Sequence, residues 1–317
     1  MDDDDITQIT EALRQTVEAD PAAARKAITE FGWLELLDDQ EQIAVSTLLP
    51  IWGRSLAQGS LLDPILVRAG GVADPTGLRV VLPALGSTRA PGRLVGDRVE
   101  IDGVLATGYG PILVLMATDG GLTLALCDDP GVVAGDPLDP SAGWARLTGS
   151  PAVLEKRTPT GIDPDVAWSA MLAAGRRALA YELIGVSEKM LEMTVEHVAS
   201  RHQFGRALGS FQAVKHQLAD VKLWTTVARL AADAAWEDGG EVSAALAKAA
   251  AVRASAAARR SCQQLLGGMG FTWEHDFHRY LRRALTLEPM LGGGPGLHRE
   301  LGAALRSGAV SHDLIAL

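Results

Sequence analysis

Arg201-His202-Gln203-Phe204-Gly205-Arg206-Ala207-Leu208-Gly209-Ser210 is a short cationic loop set between two long helical stretches. On its N-terminal side, Asp163 reads as a cap and Pro164 as the first turn of a helix that runs to about Ser200. On its C-terminal side, a second helix begins near Ser210 and stops at Gly239-Gly240. An Ala-rich third helix runs from about Val242 to Leu266 and stops at Gly267-Gly268. A fourth covers about Glu274 to Leu287, and a short last one starts near Gly296. Four helices with short connections predict an antiparallel bundle.

Upstream, the texture changes twice. From about 75 to 155, Gly, Pro and Asp punctuate short runs of Val, Leu and Ile. Leu94-Val95, Gly96-Asp97 and Arg98 to Ile101 predict a hairpin. Ile112 to Thr118, Asp119-Gly120-Gly121 and Leu122 to Cys127 predict another. This stretch reads as a small antiparallel β domain. From 5 to about 70 the chain reads as helix again. Ile6, Ile9, Leu13 and Val17 share one helical face, a second helix starts at Asp20-Pro21, and a third spans Gln42 to Leu56. The fold class is therefore α+β, mostly α. Its expected domains are a shortened helical domain (1–72), a β domain (73–158) and a helical bundle (159–317).

The chain has 317 residues, 47% of them hydrophobic and 21% charged, the balance of a packed globular protein. A net charge of −10 argues against a general nucleic-acid surface. No apolar run approaches the length needed to span a bilayer. Asp2 to Asp5 have the wrong sign for a signal or transit peptide, so a cytoplasmic location is expected. Two cysteines exclude a disulfide framework. His275 and His278 are three apart on a helix, without the companions of a metal motif; packing or surface histidines are the expected reading, and no metal is assigned. Gly267-Gly268-Met269-Gly270 follows a helix rather than a strand. It reads as a helix stop, or as a place where backbone approaches a ligand. The two guanidiniums, imidazole and aromatic ring of the 201–206 loop suit a phosphate beside a planar group.

Two long segments resemble the signature of acyl-CoA dehydrogenases. One is Arg201 through Gly209-Ser210-Phe211-Gln212-Ala213-Val214, with His216 and Leu218-Ala219-Asp220. The other is Gln264-Leu265-Leu266-Gly267-Gly268-Met269-Gly270-Phe271-Thr272-Trp273-Glu274-His275-Asp276, continued by His278-Arg279-Tyr280 and Arg282-Arg283-Ala284. The resemblance covers about 165–300, and the domain order is similar. It implies an FAD-dependent oxidation of an acyl-CoA to the 2,3-enoyl-CoA. It further implies that Arg201, Gln203 and Phe204 lie at the FAD pyrophosphate, Gln212 on the nucleotide side, and Gln264, Gly267 and Gly268 at the ADP half. In the family these groups serve the FAD seated in a neighbouring subunit.

Other positions depart from the family. Counting along the motifs places the catalytic Glu of the family at Leu291, and its alternative position at Gly175. Neither residue can take a proton, so no catalytic residue is assigned. Glu288 is the candidate for a displaced base; Glu182, Glu188, Glu192 and Glu196 are weaker ones on the first bundle helix. The flavin-contacting strand and loop of the family correspond to Val81 to Thr88, without carboxylates. The segment that walls the isoalloxazine corresponds to the stretch after Asp102-Gly103, without Trp. The chain thus resembles the short non-catalytic subunits of actinobacterial α2β2 acyl-CoA dehydrogenases acting on steroid-derived CoA thioesters. The expected partner is a catalytic subunit whose FAD this chain helps to hold, with an acyl-CoA as substrate. Two alternatives stand beside it: a self-sufficient homo-oligomer using Glu288, and a non-catalytic relic that binds CoA or a partner.

Overall fold

The computed structural model describes residues 2–72, 77–128, 137–157 and 162–309. Five helices come first: α1 (Asp3–Ala19), α2 (Ala24–Phe31), α3 (Trp33–Asp39), α4 (Glu41–Ser55) and α5 (Leu62–Ala69). The acidic N-terminus has a local role. Asp2 accepts from the Asp5 N–H, and Asp5 accepts from the Asp2 N–H, a capping box that satisfies donors a helix start leaves open. Of the predicted face of α1, Leu13 and Val17 are fully buried, and Ile6 and Ile9 half-buried. Pro21 is not inside α2: residues 21–23 form a turn whose N–H groups Asp20 caps, and regular helix starts at Ala24.

The sheet contains β1 (Arg79–Pro83), β2 (Gly92–Val95), β3 (Arg98–Ala106), β4 (Ile112–Thr118), β5 (Gly121–Cys127), β6 (Trp144–Gly149) and β7 (Val153–Arg157). Both predicted hairpins are present, with Val95 opposite Arg98 and Thr118 opposite Gly121. The expectation of a purely antiparallel sheet is corrected, because β1 and β2 both run parallel to β4. They are two pieces of one interrupted strand lying between β3 and β4. The chain leaves the sheet after Pro83 and returns at Gly92. The excursion reaches the bundle, where the Gly86 N–H donates to Pro289 O at 2.8 Å.

The remaining elements are α6 (Pro164–Ser200), the two-residue strands β8 (His202–Gln203) and β9 (Arg206–Ala207), α7 (Gln212–Asp238), α8 (Glu241–Leu266), α9 (Phe277–Leu287) and α10 (Gly294–Arg306). Asp163 caps α6 by accepting from the Asp165 N–H. Helix α6 is the axis of the molecule: it packs on α4, α5, α7, α8 and α9. Its crossing with α4 is close because glycines face backbone. A Cβ on Gly185 would lie 2.0 Å from Pro50 O, and one on Gly53 would lie 2.2 Å from Glu182 O. The domain boundaries expected near 72 and 158 fall against residues outside the described set.

One buried arginine ties all three parts together. The Arg283 Nε–H donates to Asp139 at 2.6 Å and Nη1 donates to Glu182 at 3.0 Å. Nη2 donates to Ala57 O at 3.1 Å and to Ser141 Oγ at 3.2 Å. Burial pushes the Glu182 carboxyl up, and the Arg283 charge opposes that shift. Glu182 is thus consumed by a structural ion pair rather than free to act as a base. No helix among the described residues is long and apolar enough to cross a membrane.

Candidate functional site

The two sequence motifs close the same end of the bundle. His197 in the last turn of α6 is held below its ordinary pKa by burial, and then by the nearby charges of His275 and Arg201. The 201–210 loop therefore lies beside the turn that follows α8. That loop is a two-residue hairpin in which Phe204 and Gly205 have φ of 53° and 77°. Phe204 is 90% exposed and meets Phe211 edge-on, with ring centroids 6.2 Å apart. The Arg206 guanidinium stacks 4.0 Å from the Phe211 centroid. Arg201, Gln203 and Gln212 are exposed, and among the described residues the Arg201 guanidinium enters no ion pair. A left-handed Phe costs on the order of 1 kcal/mol, and a ring left 90% exposed gains little burial in return.

The turn after α8 is a 3₁₀ segment, Gly267–Phe271, and Gln264, Gly267 and Gly268 are exposed there. Gly267 has φ 59° and ψ −134°, a conformation for glycine. Gly268 is different: its φ is ordinary and a Cβ would meet no atom of the chain within 4 Å. Phe271 and Trp273 are 74% and 76% exposed beside these glycines. His275 is spent on local structure, its Nδ1 accepting from the Phe277 N–H at the start of α9. His278 sits against Trp273, with ring centroids 4.6 Å apart.

The two positions that the resemblance relates to the base, Gly175 and Leu291, meet in space and hold only hydrocarbon. A Cβ on Gly175 would lie 2.4 Å from Leu291 Cδ1 and 2.9 Å from Leu66 Cδ2. Leu291 is 1% exposed, so its side chain fills the space that a side chain at 175 would need. Leu291 also has φ 52° and is held there by its neighbours. The Arg176 Nε–H donates to Leu291 O at 3.1 Å, and both Arg176 Nη groups bind Glu300 at 2.7 Å. Fully buried Lys248 donates to Leu287 O at 3.1 Å and Glu288 O at 2.9 Å. Burial lowers its pKa to about 7, and a neutral amine has two N–H groups for two carbonyls.

Glu288 does not meet the expectation of a displaced base. Its carboxylate accepts from Ser255 Oγ at 2.7 Å and from Arg259 at 2.8 and 2.9 Å. It therefore packs on α8. The other candidates are also engaged or remote: Glu188 faces Arg229 at 3.7 Å, and Glu192 pairs with Arg54 and Lys189. Glu196 is exposed on the last turns of α6.

Between the sheet and α9 lies a cleft of about 440 Å³. Its walls include Ala84, Leu85, Gly103, Val104, Trp144 and Met290. The two segments that the resemblance relates to the isoalloxazine, around 81–88 and after Asp102-Gly103, thus converge on one place. Thr286, which carries no signal in the sequence, also lines this cleft. Its Oγ1 is buried and has no hydrogen-bond partner among the described residues. At the rim, Arg146 pairs with Asp102 at 3.2 Å.

Comparison with known proteins follows the same lines. The family description "Acyl-CoA dehydrogenase, C-terminal domain" matches residues 165–304. The acyl-CoA dehydrogenase IpdE2 of Mycobacterium tuberculosis is 36% identical over 233 residues, which cover 73% of this chain and 68% of that protein. A variant of the Tcur3481–Tcur3483 steroid ACAD superposes with a TM-score of 0.78 at 23% identity. It covers 97% of this chain and 99% of that one. The ChsE4–ChsE5 complex from M. tuberculosis gives a TM-score of 0.74 at 25% identity, over 96% of this chain and 98% of that one.

Proposed function

The chain belongs to the acyl-CoA dehydrogenase family, and on that premise we propose that it is the non-catalytic subunit of a heteromeric, FAD-dependent acyl-CoA dehydrogenase. The observation that carries this reading is the contact between Leu291 and Gly175: both positions for a base are closed by apolar packing. A group that removes an α-proton must reach substrate and carry a suitable pKa. Leu291 does neither, and Glu182 and Glu288 are bound to arginines.

The outer face of the 201–212 and 264–268 segments fits a cofactor that approaches from outside the chain. Arg201 would meet the pyrophosphate, because a guanidinium matches phosphate oxygens in charge and geometry. Phe204 and Gln203 would lie beside it, and Gln212 would reach the nucleotide side. Gln264 and the backbone at Gly267 and Gly268 would contact the ADP half. The absence of any chain atom near a Cβ at Gly268 supports this reading, since nothing within the chain demands glycine there. FAD bound at such a site supplies a hydride acceptor for the β-carbon of an acyl-CoA, and the product is the 2,3-enoyl-CoA.

The cleft between sheet and α9 does not fit an isoalloxazine of the chain's own. The pyrimidine half of that ring carries several donors and acceptors, and each one buried without a partner costs about 1–3 kcal/mol. The side chains of the cleft offer the Thr286 hydroxyl, the Trp144 indole N–H and a rim ion pair already formed, too few for that ring. The FAD and the base therefore belong to a catalytic partner. The ChsE4–ChsE5 complex supports a heteromeric assembly, and the steroid ACAD supports a bulky, steroid-derived acyl-CoA as substrate; a heterotetramer in the cytoplasm completes the proposed reading. The test is co-expression with a catalytic acyl-CoA dehydrogenase chain. Arg201→Ala in this chain should reduce flavin retained by the complex, and unchanged flavin content would refute the lending role.

A further inference from the structure

We propose that the segment 288–292, which joins α9 to α10, is a strap locked by Lys248 and released when the Lys248 amine takes up a proton. The segment makes only turns, and its carbonyls are held from outside. Lys248 Nζ donates to Leu287 O at 3.1 Å and to Glu288 O at 2.9 Å. The Gly86 N–H donates to Pro289 O at 2.8 Å, and the Arg176 Nε–H donates to Leu291 O at 3.1 Å. Donors from three separate parts of the chain thus fix a stretch in which Leu291 has φ 52°. A left-handed leucine persists only where its surroundings over-determine it. Loss of one donor therefore lets the strap relax.

Lys248 is the donor that can be switched. Its side chain is fully buried, and among the described residues no carboxylate forms an ion pair with it. As a neutral amine it has two N–H groups, and two carbonyls take them. As an ammonium it brings a third N–H and a full charge into the same dry site. Burial opposes the charged form most, and Arg176 on α6 adds repulsion, whereas the Glu288 charge favours it. The carbonyls that end α9 also favour it. The nearby acids are already committed: Glu300 of α10 binds Arg176 at 2.7 Å, and Glu241 of α8 lies 3.6 Å from it. Glu288 binds Arg259 and Ser255.

The strap is a partition between two cavities. Met290 lines the cleft between the sheet and α9, and Gly292 lines a second cleft beside Ser87 and Arg299; Leu85 borders both. Release of the strap joins the two clefts and withdraws Leu291 from Gly175. The device goes beyond the role proposed above and does not rest on it, because every part belongs to this chain.

Hydrogen exchange of the full chain, read by mass spectrometry at pH 6.5 and pH 8.5, tests the proposal. Each rate is divided by that of the urea-unfolded chain at the same pH. Peptides spanning 284–293 should be less protected than those of β4, whose exchange reports global unfolding. The amine titrates at about 7 in the closed strap and at its ordinary 10.5 in the open one. Acid therefore favours the open form, and opening should increase roughly twentyfold from pH 8.5 to pH 6.5. Lys248→Met keeps an unbranched side chain and cannot titrate, so opening of its strap should change less than about twofold. If that variant fails to fold by circular dichroism, the carbon-13 shifts of the lysine Cε atoms in the unaltered chain carry the test beside its exchange. One lysine should then titrate at about 7, and titration of every lysine at roughly 10 would overturn the assignment. Strap amides as protected as those of β4, opening that ignores pH, or an unchanged pH dependence in Lys248→Met would overturn it equally.

Discussion

The Leu291–Gly175 contact predicts a specific energetic coupling. Leu291→Ala removes a side chain that is 1% exposed, and truncations of this kind cost about 2–5 kcal/mol. Gly175→Ala brings a Cβ within 2.4 Å of Leu291 Cδ1. Overpacking of that kind costs about 1–3 kcal/mol. It is offset by about 0.5–1 kcal/mol, because Ala replaces Gly inside a helix. In the double variant the clashing Cδ1 is gone and the new Cβ occupies part of the cavity. The pair should therefore be less destabilising than the sum of the singles by about 1–2 kcal/mol. Urea denaturation of the four proteins, followed by circular dichroism, measures this. Additivity within about 0.5 kcal/mol would refute the claim that the two positions face each other.

Other consequences follow from the same geometry. Gly268→Ala should leave the stability of the isolated chain within about 0.5 kcal/mol, because its Cβ meets nothing, yet lower flavin content in the assembled complex; absorbance at 450 nm after gel filtration reads this. Glu288→Gln should weaken the Arg259 and Ser255 contacts and leave the turnover of the complex unchanged; a large loss of kcat without loss of assembly would restore Glu288 as a base. Lys248 is held at about 7 against an ordinary 10.5. Between those values the unfolded chain binds a proton that the folded chain does not, so stability should rise with pH across that window. Lys248→Met should lose that rise, as urea midpoints at pH 7 and pH 9 would show.

The bundle was legible because its punctuation is strong. Asp163-Pro164, Gly239-Gly240 and Gly267 each supply a cap or stop whose backbone chemistry admits few alternatives. Both hairpins were legible for the same reason, through Gly96 and Asp119-Gly120. Helix α3 was not, because only Gln40, with no Gly or Pro, separates it from α4. The parallel pairings of β1 and β2 were hidden because register depends on where an interrupted strand rejoins its sheet. The site was half legible. Motif spacing brought out the exposed loops and the two empty base positions. That Leu291 fills the space at Gly175, and that Arg283 consumes Glu182, depends on contacts more than a hundred residues apart in sequence. Thr286 carried no signal, since a threonine in a helix is unremarked until its hydroxyl lacks a carbonyl.

The most direct test of the lending role is the flavin stoichiometry of the purified complex between this chain and a catalytic acyl-CoA dehydrogenase subunit. Absorbance at 450 nm, combined with light-scattering mass, should give about one FAD for each pair of unlike chains, and this chain alone should be colourless. A yellow chain that retains its own FAD, or two FAD for each pair, would contradict it.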